Sequence, residues 1–170
     1  TYEKLPFDLL RDLAPVSGMV DFPLTLLANN ALPVRSIPEL IAYAKANPGK
    51  LSFGSFGAGS TSHVAGELFK IMAGVDMVHV PYRGGAPMMT DLIGGQVQIG
   101  FDVLTGSLPH IKSNSVRLLG VGSKARSEFV PDVPTIAETL PGYEATAWAG
   151  VAVPKSTPAD IVARLNREIG

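Results

Sequence analysis

The chain has 170 residues, with 14 lysines and arginines against 15 aspartates and glutamates and a net charge of −1. A chain of this length can bury one substantial core, or one domain plus pieces of another. Its balanced charge, without a basic block or an acidic tail, argues against nucleic acid and anionic membrane surfaces as partners. The absence of cysteine excludes disulfides and thiolate metal sites.

The first part of the chain predicts a turn-rich lead over residues 2–20, with one helical turn near Leu9 and no core element of its own. A strand follows at residues 24–28, where the side chains are apolar enough to be buried on both faces of a sheet. Ser36 then predicts the cap of a helix that runs to about Ala46.

Strands and helices alternate with short connections from residue 51 onward. The predicted strands cover residues 51–53, 77–80, 97–101, 116–121 and 145–153, and the predicted helices cover residues 60–73, 86–93, 107–112 and 135–140, with a last helix beginning near residue 158. This alternation is typical of an α/β fold in which helices flank a mostly parallel sheet.

The glycine turn, residues 54–60, joins a strand to a helix that Ser60 or Thr61 is predicted to cap. Such a turn leaves the first amides of the helix unpaired and pointing at its mouth, where an anion can bind. Glycine permits positive φ angles and close approach of a ligand to the backbone, and the nearby hydroxyl groups add neutral donors. The turn therefore predicts an anion site.

Better-known glycine loops do not fit this turn. A phosphate loop requires a lysine where Ser60 follows Gly59. A dinucleotide fingerprint requires glycine or alanine in place of Ser62 and an acidic residue after the next strand, where Pro81-Tyr82-Arg83 stands. No Gly-x-Ser-x-Gly nucleophile elbow occurs in the sequence. The alternative interpretation is that the glycines only build a tight connection.

Three turns are expected to converge at one edge of the sheet, because ligands of open parallel sheets bind beyond the carboxyl ends of the strands. They are residues 54–62, which include the glycine turn, residues 82–85, and residues 102–106. Tyr82 and Arg83 would add an aromatic wall and a cation, and Asp102 could accept from an ammonium group, a hydroxyl or a water molecule. The alternative for Tyr82 and Arg83 is an ordinary exposed loop, and the alternative for Asp102 is a turn cap.

Six segments of the chain match known motifs in the right order. They are LPVRS at 32–36, AKANPGKL at 44–51, GELF at 66–69, HVPYRG at 79–84, GGQV at 94–97 and DVPTIAE at 132–138. Together they resemble the Bordetella uptake gene family, the periplasmic solute-binding receptors of tripartite tricarboxylate transporters. The resemblance covers nearly the whole chain.

This resemblance implies a two-lobed, class II-like periplasmic binding protein that closes on a small carboxylate: a di- or tricarboxylate, an acidic amino acid or an aromatic acid. Residues 1–22 would belong to the lead from domain 1, residues 23–145 to the ligand-binding domain 2, and residues 146–170 to a strand and helix returning to domain 1. The family grips the ligand carboxylate with main-chain amides and ordered water at two such turns. That role carries over to Gly57, Ala58, Gly59, Ser60 and Thr61, and less directly to Ser55, Tyr82 and Asp102.

The resemblance also implies a periplasmic location, membrane transporter subunits as partners, no cofactor and no catalysis. The chain departs from the family at Phe56, where a small polar residue is expected, and the larger side chain would narrow the site or favour a less polar ligand. The family's N-terminal strand-turn-helix and its C-terminal segment are absent from this sequence. We therefore expect a fragment that holds at most half of the pocket and self-associates through Trp148 and a face that includes Ile161 and Leu165.

Two other function classes stay open at this point. His63, His79 and His110 lack metal-ligand spacing and are predicted to pack or to form hydrogen bonds. A small α/β hydrolase could pair Ser60 with His63, and it would show turnover. An effector-binding domain of a regulator would have a similar fold but would need a DNA-binding extension.

Overall fold

The computed structural model describes residues 8–170, so residues 1–7 of the predicted lead lie outside the described residues. The helices are α1 (Leu9–Asp12), α2 (Ile37–Ala46), α3 (Thr61–Ala73), α4 (Gly85–Gly94), α5 (Leu104–Lys112) and α6 (Ala159–Ile169). The strands are β1 (Leu13–Ala28), β2 (Ser52–Ser55), β3 (Val78–Pro81), β4 (Ile99–Val103), β5 (Arg117–Val121) and β6 (Thr146–Pro154), and Ile136–Glu138 form a 3-10 turn. From α2 onward every predicted element is present.

The described residues form two compact units. The larger unit comprises Phe22–Ala147, and the smaller one comprises the described residues up to Asp21 together with Trp148–Gly170. β1 contributes its first part to the smaller unit and its last part to the larger one. The assignment of domain boundaries after residues 22 and 145 stays a prediction.

The sheet of the larger unit has the strand order β3-β2-β4-β1-β5. β2 is parallel to both β3 and β4, whereas β1 is antiparallel to β4 and to β5. β4 and β5 consequently point in the same direction, so four of these strands are mutually parallel and β1 runs against them. The predicted α/β fold with a mostly parallel sheet is confirmed.

β1 is much longer than predicted. It begins at Leu13, so the expected turn-rich lead is wrong for residues 13–20. Most of these residues are exposed or half-buried, with Val16 as the buried exception, and the segment therefore lacks the apolar alternation that marks a strand in sequence. Its extended shape comes from pairing with β6, a contact between residues far apart in the chain.

The core of the larger unit lies on both faces of the sheet, because successive side chains of β1 point to opposite faces and are buried on each. Leu24, Leu26 and Ala28 pack into a cluster that also contains Phe53 and Phe69. The residue between them on β1, Leu27, packs with methionines of α4 on the opposite face. The prediction that residues 24–28 are buried on both faces is confirmed.

The smaller unit consists of α1, the first part of β1, β6 and α6. The Asn166 side chain of α6 donates to the Val16 carbonyl at 2.6 Å. Trp148 is 78% exposed and Ile161 is 46% exposed, so the apolar surface that motivated the expectation of self-association is present. Self-association itself stays a prediction. Among the described residues, no helix combines the length and apolar character needed to cross a bilayer.

Candidate functional site

The candidate residues lie on three turns that meet at one edge of the sheet in the larger unit. Because β2 is parallel to both β3 and β4, all three strands end at this edge. A Cβ atom on Gly57 would lie 3.2 Å from the Tyr82 carbonyl oxygen. A Cβ atom on Gly85 would lie 3.2 Å from the Phe56 ring and 3.5 Å from the Asp102 carboxylate. The structure thus brings the three turns together, as the sheet topology predicted.

Serine side chains around the glycine turn satisfy much of its backbone. The Ser55 hydroxyl accepts from the Gly57 amide at 3.2 Å, and the Ser62 hydroxyl accepts from the Phe56 amide at 2.9 Å. The Ser60 hydroxyl donates to the Gly57 carbonyl at 2.7 Å and caps α3 by accepting the amide of the third helical residue. Ser55 and Ser60 therefore hold the shape of the turn.

The free donors of the turn are few and well defined. Gly57 and Gly59 have φ angles of 126° and 79°, a region that favours glycine, and the Gly59 amide donates to His63 Nδ1 at 3.0 Å. In the described part of the chain, no acceptor contacts the amides of Ala58 and Thr61, and both residues are exposed. The Ser62 amide likewise has no acceptor among the described residues, but Ser62 is fully buried. The two exposed amides, with the Thr61 hydroxyl at the start of α3, are therefore the groups that can bind an anion.

A cavity of about 360 Å³ opens beside these donors. Gly59 and Thr61 line it from the turn, Val64 and Leu68 from α3, and residues 144–146 from the opposite side. The cavity thus combines the donors of Thr61 with aliphatic walls and with one carboxylate, that of Glu144, which is paired with Lys124 at 3.2 Å. This combination suits a small acid that carries a hydrocarbon portion.

Asp102 lies in a different cleft, of about 420 Å³. The carboxylate is only 4% exposed and accepts from the Val103 amide at 2.7 Å, and its burial raises the pKa of Asp102 to about 6. The residues that line this cleft with it are Phe56, Gly85, Ala86, Met89, Val103, Gly106 and His110. None of these described residues lines the cavity beside Thr61, so Asp102 is set apart from the free donors of the glycine turn.

Tyr82 contributes its ring to the site edge, but its hydroxyl already has a partner. It donates to Asp91 Oδ2 at 2.8 Å. Burial, and then this hydrogen bond to a carboxylate, raise the pKa of Tyr82 to about 12. The ring packs with Phe56 and Val80 against the core cluster beneath α4. The Tyr82 hydroxyl is therefore engaged by Asp91, and the predicted role of the ring as a wall of the site stays a prediction.

Two histidines beside the glycine turn form a stacked pair that the sequence did not reveal. The His63 and His79 rings lie 3.9 Å apart at an angle of 11°, and Phe53 also stacks on His79. His79 Nε2 lies 2.7 Å from the Ser55 hydroxyl, while His63 Nδ1 accepts from Gly59. The sequence contains a signal for the contact between Gly59 and His63, since His63 follows Gly59 by four residues, about one helical turn. The stacking depends on the β2–β3 register and has no such signal.

The same contacts argue against the hydrolase alternative. The Ser60 hydroxyl donates to a carbonyl, and the His63 nitrogen that faces the turn is occupied by an amide. Ser55 and His79 have the spacing of a nucleophile and its base, but Ser55 is fully buried. Within the described residues, no carboxylate accepts a hydrogen bond from His79, and no cluster of three potential metal ligands is present.

Comparison with known proteins gives matches over the whole chain. A family model described as the tripartite tricarboxylate transporter family receptor matches residues 1–169. A UPF0065 protein from the tcbD-tcbE intergenic region of Pseudomonas sp. strain P51 is 42% identical over 170 residues, and protein BugT of Bordetella pertussis is 39% identical over 167 residues. The alignments cover 99% and 98% of this chain but 51% of each relative. The chain thus spans about half the length of these relatives.

Solved structures give the same result. Rpa4515 of R. palustris, solved with adipate, is 39% identical with a TM-score of 0.93, over 99% of this chain and 56% of that one. The periplasmic binding protein BugD is 35% identical with a TM-score of 0.84, over 92% and 53%. MatC of Rhodopseudomonas palustris, with bound malate, is 31% identical with a TM-score of 0.87, over 99% and 57%. The predicted periplasmic-binding-protein-like fold is confirmed.

Proposed function

The chain belongs to the tripartite tricarboxylate transporter receptor family, as its sequence resemblance predicted, and we propose that it is a carboxylate-binding lobe of a solute receptor. The proposed ligand is a small carboxylate: a di- or tricarboxylate, an acidic amino acid or an aromatic acid. The receptor would work in the periplasm, without catalysis, by closing over its ligand. Membrane subunits of a tripartite transporter would recognise the closed form.

The free donors at the start of α3 carry this proposal. A carboxylate placed there would accept from the amides of Ala58 and Thr61, and its charge would lie at the positive end of the helix dipole. No side chain within the turn competes for these two amides. The Thr61 hydroxyl supplies a further donor without adding a charge.

The remaining candidate residues support this contact in other ways. Gly57 and Gly59 give the turn its backbone path, and Ser55 and Ser60 hold that path by hydrogen bonds. Tyr82 forms a wall behind the turn, with its carbonyl beside Gly57. We propose that Asp102 meets a polar group of the ligand, or a water molecule, from the neighbouring cleft.

The ligand class is supported by two relatives and by the walls of the cavity. Rpa4515 was solved with adipate and MatC with malate, and both molecules are dicarboxylates. Val64 and Leu68 offer aliphatic surface beside the donors, where a hydrocarbon chain can pack. These walls favour an acid with methylene groups over a compact, fully polar one.

The test is a titration of the complete gene product that contains this chain, with adipate and malate as probes in isothermal calorimetry. Thr61→Val keeps the shape of the side chain and removes one neutral donor. We expect the affinity of the better probe to fall about 2- to 12-fold, which corresponds to roughly 0.5 to 1.5 kcal/mol for such a hydrogen bond. The matched control is Thr90→Val, an exposed threonine of α4 that lines neither the cavity beside Thr61 nor the Asp102 cleft, which should bind like the unaltered protein.

Two results would contradict the proposal. Equal affinities in Thr61→Val and the unaltered protein would mean that the carboxylate does not bind at the start of α3. The second result combines two observations. No member of a wider panel of carboxylates raises the melting temperature, and the protein hydrolyses esters in a reaction that disappears in Ser60→Ala. Together these observations would favour an enzyme.

A further inference from the structure

We propose that His63 and His79 are positioning residues of the carboxylate site, which hold the glycine turn in its binding conformation while both rings are neutral. The inference rests on the proposed function, because it concerns the same turn. It assigns a role to two side chains that lie outside the set of donors.

The two rings hold the turn on either side of its free donor. His63 Nδ1 accepts from the Gly59 amide at 3.0 Å. His79 Nε2 contacts the Ser55 hydroxyl at 2.7 Å, and that hydroxyl in turn accepts from the Gly57 amide at 3.2 Å. Ala58 lies between these two anchored glycines. Since the rings stack at 3.9 Å, the two anchors are in direct contact with each other.

The protonation state of His63 decides whether its anchor exists. An acceptor at Nδ1 requires a neutral ring that carries its proton on Nε2. Nε2 faces Glu67 at 3.9 Å, and Glu67 is paired with Lys70 at 3.0 Å, so the surroundings favour a proton on that side. In the imidazolium, Nδ1 becomes a donor that points at another donor, and the bond to Gly59 is lost.

The groups that face the pair are few. On α3 they are Glu67 and Lys70, and on β2 and β3 the described residues carry no charged side chain besides His79 itself. Burial, and then the nearness of His63, lower the pKa of His79. Both effects favour the neutral form of His79, in which it holds the Ser55 hydroxyl.

The binding experiment compares two substitutions of His63 in the complete gene product. His63→Ala removes the anchor, whereas His63→Asn keeps an acceptor at the position of Nδ1 and cannot titrate. At about pH 8 we expect His63→Ala to bind adipate or malate about 3- to 10-fold more weakly and His63→Asn to stay within about 2-fold of the unaltered protein. Equal affinities of His63→Ala and His63→Asn would overturn the inference.

A measurement without ligand separates this inference from the proposed function. Amide hydrogen exchange at Gly59, followed by NMR, should be slow in the unaltered protein and in His63→Asn at about pH 8, and fast in His63→Ala. Equal exchange in all three would overturn the anchor whatever the ligand is. Slow exchange that depends on His63, in a protein that binds neither probe, would sustain the anchor and refute the proposed carboxylate site together with the positioning role.

Discussion

Replacing Asp102 by asparagine should make the stability of the larger unit less dependent on pH. The Asp102 carboxylate is 4% exposed, and its burial raises its pKa from 3.8 to about 6. The counteracting hydrogen bond from the Val103 amide is preserved in the variant, because an asparagine side-chain oxygen accepts in the same place. The substitution therefore removes the charge and little else.

The sign and size of the effect follow from the pKa. Between about pH 4 and about pH 6 the folded protein keeps a proton on Asp102 that the unfolded chain has released, so the free energy of unfolding falls as the pH rises through this window. It levels off above about pH 6. A displacement from 3.8 to about 6, at about 1.36 kcal/mol for each pH unit, corresponds to roughly 3 kcal/mol.

The assay is urea unfolding, followed by circular dichroism, at about pH 4 and about pH 8. We expect Asp102→Asn to be more stable than the unaltered protein by roughly 2 to 3 kcal/mol at the higher pH and to differ little at the lower one. A difference that is the same at both pH values would refute the reasoning, since it would mean that the pKa of Asp102 is not raised.

Two further predictions concern packing in the core. Gly66→Ala should destabilise the protein by about 1 to 3 kcal/mol in urea unfolding, because a Cβ atom on this α3 residue would collide with the buried Phe53 ring. Its control is Gly94→Ala at the end of α4, where no atom lies within 4 Å, and a gain of about 0.5 kcal/mol is expected; equal effects would contradict the collision. Tyr143→Phe should cost about 1 kcal/mol, because the buried hydroxyl donates to the Ala65 carbonyl at 3.0 Å. An unchanged urea midpoint would show that this bond contributes nothing.

The sequence predicts most of the larger unit because its signals there are local. Ser60 caps α3 and Gly74 ends it in the left-handed conformation, as their residue types suggest. Short apolar runs bounded by glycine and proline mark β2 to β5. The positive φ angles of Gly57 and Gly59 were predictable for the same reason, since a strand-to-helix turn with two closely spaced glycines requires them.

The parts that the sequence misses depend on partners distant in the chain. The first half of β1 is extended because β6 lies beside it, and no periodicity in residues 13–20 reports that neighbour. The antiparallel direction of β1 is likewise a property of the whole sheet. At the site, the sequence shows that donors exist but not which of them are used internally. That distinction required the contacts of Ser55, Ser62 and His63.

These internal contacts have a consequence for selectivity. A turn whose backbone is largely satisfied by its own side chains keeps its shape without a ligand, so under the proposed function it would offer a carboxylate a preformed pair of amides at Ala58 and Thr61. Amides recognise the carboxylate group and nothing beyond it. Under the same proposal, discrimination among carboxylates would come from the surrounding walls, where Val64 and Leu68 present apolar surface. A ligand with a longer hydrocarbon portion gains from these walls, whereas a hydroxylated one loses hydration against them without a new partner.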